Sequence, residues 1–121
     1  MNAPAPVAPA NLASRAERVQ HVVSPGGVTA WLVEDYAVPL VALEFSVSGG
    51  AAQDPQGKAG ASSMMAGLLD EGAGDLDAAA FHRALDDHAI RLSFAADRDD
   101  FTGHLQTLSR HVDKAFELMA L

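Results

Sequence analysis

The chain has 121 residues, no cysteine and a formal net charge of −8, from 16 acidic against 8 basic residues. The length suits one compact domain or part of a larger one, and a hydrophobic share of 49% excludes disorder throughout. Without thiols there is no disulfide framework, thiolate metal site or thiol nucleophile; without a basic patch there is no surface for nucleic acid.

No run approaches the ~18 apolar residues of a membrane span. Residues 1–14, MNAPAPVAPANLAS, lack a basic n-region and a continuous apolar stretch, so they are not a signal peptide. Their Ala/Pro alternation reads as a disordered tail. Such tails follow removed export signals, which favours the periplasm with the cytoplasm as the alternative, and they also begin recombinant chains. The absence of cysteine does not fix the compartment.

After the tail, Arg15 to Val23 ends in the alternating Val19-Gln20-His21-Val22-Val23, and Ser24-Pro25-Gly26-Gly27 is a turn signal. Thr29 to Glu34 reads as the returning strand of a hairpin. Leu40 to Val47 is the clearest strand, with Val41, Leu43, Phe45 and Val47 on one face and Ala42, Glu44, Ser46 and Ser48 on the other. Residues 49–60 form a loop.

Ala61 to Leu69 switches to helical spacing, with Ala61, Met64, Met65, Leu68 and Leu69 as a one-sided stripe expected to face the core. Glu71-Gly72-Ala73-Gly74 ends that helix. Asp75 or Asp77 caps a second helix to about His88, with Leu76, Ala80, Ala84 and Leu85 on one side. Ile90 to Ala96 and Phe101 to Leu108 are strands joined by the turn Asp97-Arg98-Asp99-Asp100. Arg110 to Leu121 is a third helix with Val112, Ala115, Phe116 and Met119 aligned. It stops without a cap, so truncation is expected, and with it self-association of the fragment. The order predicts an α+β fold, a mainly antiparallel sheet with helices packed on one face.

Several pieces of the chain carry a resemblance. Gly26-Gly27-Val28 to Asp35 is similar to the opening hairpin of the pitrilysin/insulinase-type metallopeptidases, and Leu40 to Ser48 to their next strand. Gly57-Lys58-Ala59-Gly60 resembles the lead-in to their active-site helix, and Phe81 to Asp86 with Arg91-Leu92-Ser93 resembles their second helix and following strand. The order and spacing of these pieces carry the likeness. It implies that residues 15–121 are the N-terminal part of one such domain.

The family's H-x-x-E-H motif holds zinc with two histidines four apart and uses the glutamate as base for the metal-bound water. Aligned on Gly57-Lys58-Ala59-Gly60, the motif positions fall on Ser63, Ala66 and Gly67. Alanine and glycine have no side-chain donor and serine is a poor zinc ligand, so the resemblance implies a non-catalytic member without zinc. At ~100° per residue these three positions cluster on one side of the helix, opposite the apolar stripe. A close-packed helix face of small residues is the plainer reading of the same pattern.

By resemblance, the chain is the non-catalytic partner of an active metallopeptidase subunit or of a second homologous domain, and it binds or shapes polypeptide substrate. The alternative is a structural module of a larger complex, as in respiratory-complex core subunits of the same fold. In the family, extended substrate is held by strand addition near the metal helix, an edge that falls on Ser93, Phe94, Ala95 and Ala96. The five histidines, His21, His82, His88, His104 and His111, form no i/i+4 pair and read as scattered surface or half-buried residues. The Asp86-Asp87 and Asp97–Asp100 clusters read as helix-end and turn chemistry. No serine or threonine has an arguable base beside it in sequence, and there is no phosphate-binding glycine loop.

Overall fold

The computed structural model describes residues 14–121. The tail at residues 1–13 lies outside the described residues. The chain divides into two compact units between Val38 and Pro39.

In the first unit a 3-10 turn, Arg15–Arg18, leads into β1 (Val19–Val23), which pairs antiparallel with β2 (Thr29–Val33). The turn closes where the glycine pair predicts it. Gly27 takes φ 83°, and the Ser24 hydroxyl accepts from the Val28 N–H at 3.0 Å. No residue of either strand is buried.

The second unit is built on β3 (Leu40–Ser48), β6 (Arg91–Ala96) and β7 (Asp100–Leu108), an antiparallel sheet in the order β3-β7-β6. Between β3 and β6 run α1 (Ala61–Ala66), a two-residue hairpin of β4 (Gly72–Ala73) and β5 (Leu76–Asp77), and α2 (Ala78–Asp87). After β7 a 3-10 turn, Ser109–His111, enters α3 (Val112–Met119). Asp77 caps α2 as expected, its carboxylate accepting from the Ala80 N–H at 2.7 Å.

Register defines the two faces of the sheet. Leu43, Leu105 and Leu92 lie in one cross-strand row, and Glu44, His104 and Ser93 in the next, pointing the other way. Alternation sends Leu92 and Leu105 into a core with Phe81, Leu85, Ile90, Ala115 and Leu118. The helices cover this face. The opposite face carries Glu44, Ser46, Ser93, Ala95, Thr102 and His104, none of them buried. The fold is the α+β arrangement the sequence predicts, with antiparallel strands and helices on one face.

Three local expectations are corrected. First, α1 stops at Ala66 instead of reaching Leu69, because Gly67 closes it and the chain leaves in turns. The Glu71–Gly74 segment, read as the end of that helix, is the tight β4-β5 hairpin, with Gly72 at φ 118° and Gly74 at φ 58°. Second, the apolar stripe of α1 faces outward. Met64, Met65, Leu68 and Leu69 are all exposed, and Ala66 is the buried residue. The helix lies against β6, and the small Ala66 side chain allows that approach. Third, α3 buries Ala115 and Leu118, whereas Phe116 is exposed.

Candidate functional site

The loop before α1 is organised by Asp54. Its carboxylate accepts from the Gly60 N–H at 2.6 Å, the Ser62 N–H at 2.9 Å and the Ser62 hydroxyl at 2.5 Å. Bonds from the Ser62 side chain and backbone hold the Asp54 carboxyl below the usual carboxylate range. Asp54 thus serves the free N–H groups of α1 from outside the helix, where Gly60 supplies no side chain.

On α1 itself the motif positions do not form one blank face. Ser63 and Gly67 are exposed neighbours, while Ala66 turns toward β6 and is buried. One hydroxyl and two positions without donors do not fit a zinc ion, which needs three or four converging ligands. Among the described residues, no three His, Asp or Glu side chains converge as a ligand set elsewhere.

The predicted peptide edge, Ser93 to Ala96, lies on β6, the outer strand beyond β7. In an antiparallel strand, the N–H and C=O of one residue point to the same side. The Asp97 N–H donates to the Asp100 carbonyl at 2.9 Å, and the Thr102 hydroxyl donates to the Ala95 carbonyl at 3.4 Å. Both bonds fix odd-numbered residues toward β7. Among the described residues no strand pairs beyond β6, so the groups on its free edge belong to Leu92, Phe94 and Ala96, whose side chains sit on the helix face. Ser93 and Ala95 contribute small side chains on the open face and keep their backbone bonds for β7.

Two hollows flank this edge. On the open face a depression of about 440 Å³ is walled by Glu44, Ser46, Ser93, Ala95, Thr102 and His104. Its floor is the backbone row Phe45, Gly103 and Phe94, with the two phenylalanine side chains on the other face. Glu44 Oε1 stands 3.4 Å from His104 Nδ1 across β3 and β7. On the helix face a cavity of about 220 Å³ is lined by Leu92 and Phe94 of β6, Leu68 and Leu69 after α1, and Leu118 and Met119 of α3, among others. No charged or hydrogen-bonding side chain lines it.

Two pairings of histidine escaped the sequence reading. His104 meets Glu44 through strand register, which single-strand alternation does not reveal. His88, at the end of α2, meets His111, at the start of α3, edge to face with ring centres 5.3 Å apart. His88 Nδ1 lies 2.9 Å from the Ala84 carbonyl, and Arg110 Nε donates to His111 Nε2 at 3.0 Å. Desolvation, then the charges of Arg110 and His88, pushes His111 below the ordinary imidazole value.

Fold and site together define an antiparallel α+β unit whose first helix offers a hydroxyl at Ser63 and no zinc-ligand side chain at Ala66 or Gly67. The comparisons agree with that class. The chain is similar to the crystal structure of a peptidase M16 inactive domain from Pseudomonas fluorescens, at 25% identity and a TM-score of 0.74. M16 is the pitrilysin/insulinase-type family. The match covers 84% of this chain and 25% of that one, so this chain spans about a quarter of its relative's length. No family model matches the chain, and no curated protein does. The chain shares the α+β fold of that peptidase domain.

Proposed function

We propose that the chain is the non-catalytic partner in a peptidase assembly and holds extended polypeptide by strand addition to β6. The observation that carries this reading is the free edge of Leu92, Phe94 and Ala96, flanked by a hollow on each face. Pairing through backbone groups tolerates varied side chains and needs no metal, so it outlasts the loss of zinc ligands. Similarity to an inactive domain of an M16 peptidase supports an active homologous domain or subunit as the partner.

Ala96→Pro is the test. Proline removes one outward N–H, keeps the β6-β7 ladder, and is tolerated on an edge strand whose N–H faces solvent. Proline at position 95 would break the ladder instead. The expected outcome is at least tenfold weaker binding of an unfolded peptide by the native assembly, with circular dichroism unchanged. Unchanged affinity, or co-purification with a complex that contains no peptidase-type partner, overturns the reading.

A further inference from the structure

We infer that the strand taken up by β6 is one that alternates apolar with basic side chains. The inference rests on strand addition at β6 and names the class of peptide bound there.

The phase of β6 dictates where the side chains of a bound strand go. Residues opposite Leu92, Phe94 and Ala96 share the helix face, and residues opposite Ser93 and Ala95 share the open face. The two faces offer different chemistry. On the helix face, Leu92 and Phe94 open onto a cavity of about 220 Å³ whose lining side chains are all apolar. An apolar side chain entering it leaves water for apolar neighbours, whereas a charged one finds no charged or hydrogen-bonding side chain to replace its hydration.

The open face selects differently. Ser93 and Ala95 are too small to block a long side chain lying flat across the sheet. One strand spacing of ~4.8 Å further on lie His104 and Thr102. There the Glu44 carboxylate leans over β7, 3.4 Å from His104 Nδ1, with its side chain 83% exposed. Asp100 stands on the same face two residues beyond Thr102, and Asp97 and Asp99 sit in the adjoining turn. Arg91 at the start of β6 is the cation on this face of the strand, and Arg98 in the turn is drawn to Asp99 at 4.0 Å. Acidic groups therefore cluster at the Ala95 end of the depression, and Arg91 marks the other end. An arginine or lysine stem crosses Ser93 or Ala95 with its head toward Glu44, and a chain of net charge −8 draws such a peptide in.

The experiment uses the full-length protein in its native assembly and fluorescein-labelled nine-residue peptides read by anisotropy. Three peptides alternate leucine with arginine, serine or glutamate. A fourth has the composition of the leucine/arginine peptide in block order, and a fifth is that peptide N-methylated at alternate residues. The leucine/arginine peptide is expected to bind at least tenfold tighter than the leucine/glutamate and block-order peptides. Glu44→Gln is expected to reduce its advantage over the leucine/serine peptide to within threefold. Equal binding of all three alternating peptides, all weakened by Ala96→Pro and the leucine/arginine peptide also by N-methylation, overturns the alternation and leaves strand addition standing. Binding insensitive to N-methylation, or no binding of any peptide, overturns strand addition and this inference with it.

Discussion

Two residues show how narrowly the second unit is fitted. Gly50 is buried where the chain leaving β3 runs beside the β6-β7 turn. There Gly49, Ala51 and Ala52 donate backbone bonds of 2.7–2.8 Å to Asp99, Asp97 and Arg98. A Cβ at Gly50 would sit 2.1 Å from the Asp97 carbonyl oxygen, which is backbone and cannot rotate away. Gly50→Ala is expected to destabilise the fold by about 1–3 kcal/mol in chemical denaturation, through displacement of the turn that phases β6. His111 gives a pH dependence. Its Nε2 accepts from Arg110, so the ring is neutral, and protonation would lose that bond and set a second cation beside Arg110. With its folded value below the ordinary 6.5, the unfolded chain takes up the proton first. Stability is therefore full above that value and falls as pH drops through it toward the folded value. Denaturant midpoints between pH 7.5 and 5 are expected to fall, and His111→Gln is expected to flatten that slope. An identical slope in the variant would remove His111 as its source.

Among the elements, α1 decides what positions 63, 66 and 67 can hold. Ala66 is 4% exposed against β6, whereas Gly67 is exposed and its φ of −76° suits any residue. Gly67→His is therefore expected to be neutral or to stabilise by about 0.4–1 kcal/mol. Ala66→Glu is expected to cost about 1–3 kcal/mol, because its carboxyl enters the packing against β6 without a partner. Ser63→His, Ala66→Glu and Gly67→His together are expected to give no chelator-sensitive peptide cleavage; robust cleavage would overturn this account of α1. The same helix marks where sequence reading ends. Periodicity says which residues share a side of a helix, and of the predicted stripe α1 itself carries Met64 and Met65, with Leu68 and Leu69 in the turns that follow. It does not say which side faces in, and small size, not hydrophobicity, put Ala66 against the strand. Phe116 and Leu118 of α3 repeat the lesson. The strands were more legible: alternation in β3 and β6 predicts both faces, and Asp77 predicts the start of α2. The small residues of β6 were readable as a candidate edge, but its outward groups were not. Their phase follows from the bonds of Asp97 to Asp100 and Thr102 to Ala95, and the Glu44–His104 pair from a register between distant strands.

The whole molecule is uneven in a way that spectroscopy can read. Every core residue of the clustered interior lies after Pro39, while β1 and β2 bury none of theirs. A two-stranded hairpin without a buried face is marginal in water. The single tryptophan and single tyrosine, Trp31 and Tyr36, belong to this first unit and are 80% and 87% exposed. All five phenylalanines, Phe45, Phe81, Phe94, Phe101 and Phe116, belong to the second. The chain is therefore expected to show solvent-like tryptophan emission, fully open to iodide quenching. On heating, that emission is expected to drift without a step, while far-ultraviolet circular dichroism records the cooperative loss of α2, α3 and the three-stranded sheet. Hydrogen exchange gives the same division: amides of β1 and β2 exchange with little protection, and those of the central strand β7 exchange last. A blue-shifted, quencher-resistant Trp31 whose change coincides with the circular dichroism transition would contradict it. In that event the apolar surface of the hairpin is covered in solution, and the two units unfold as one.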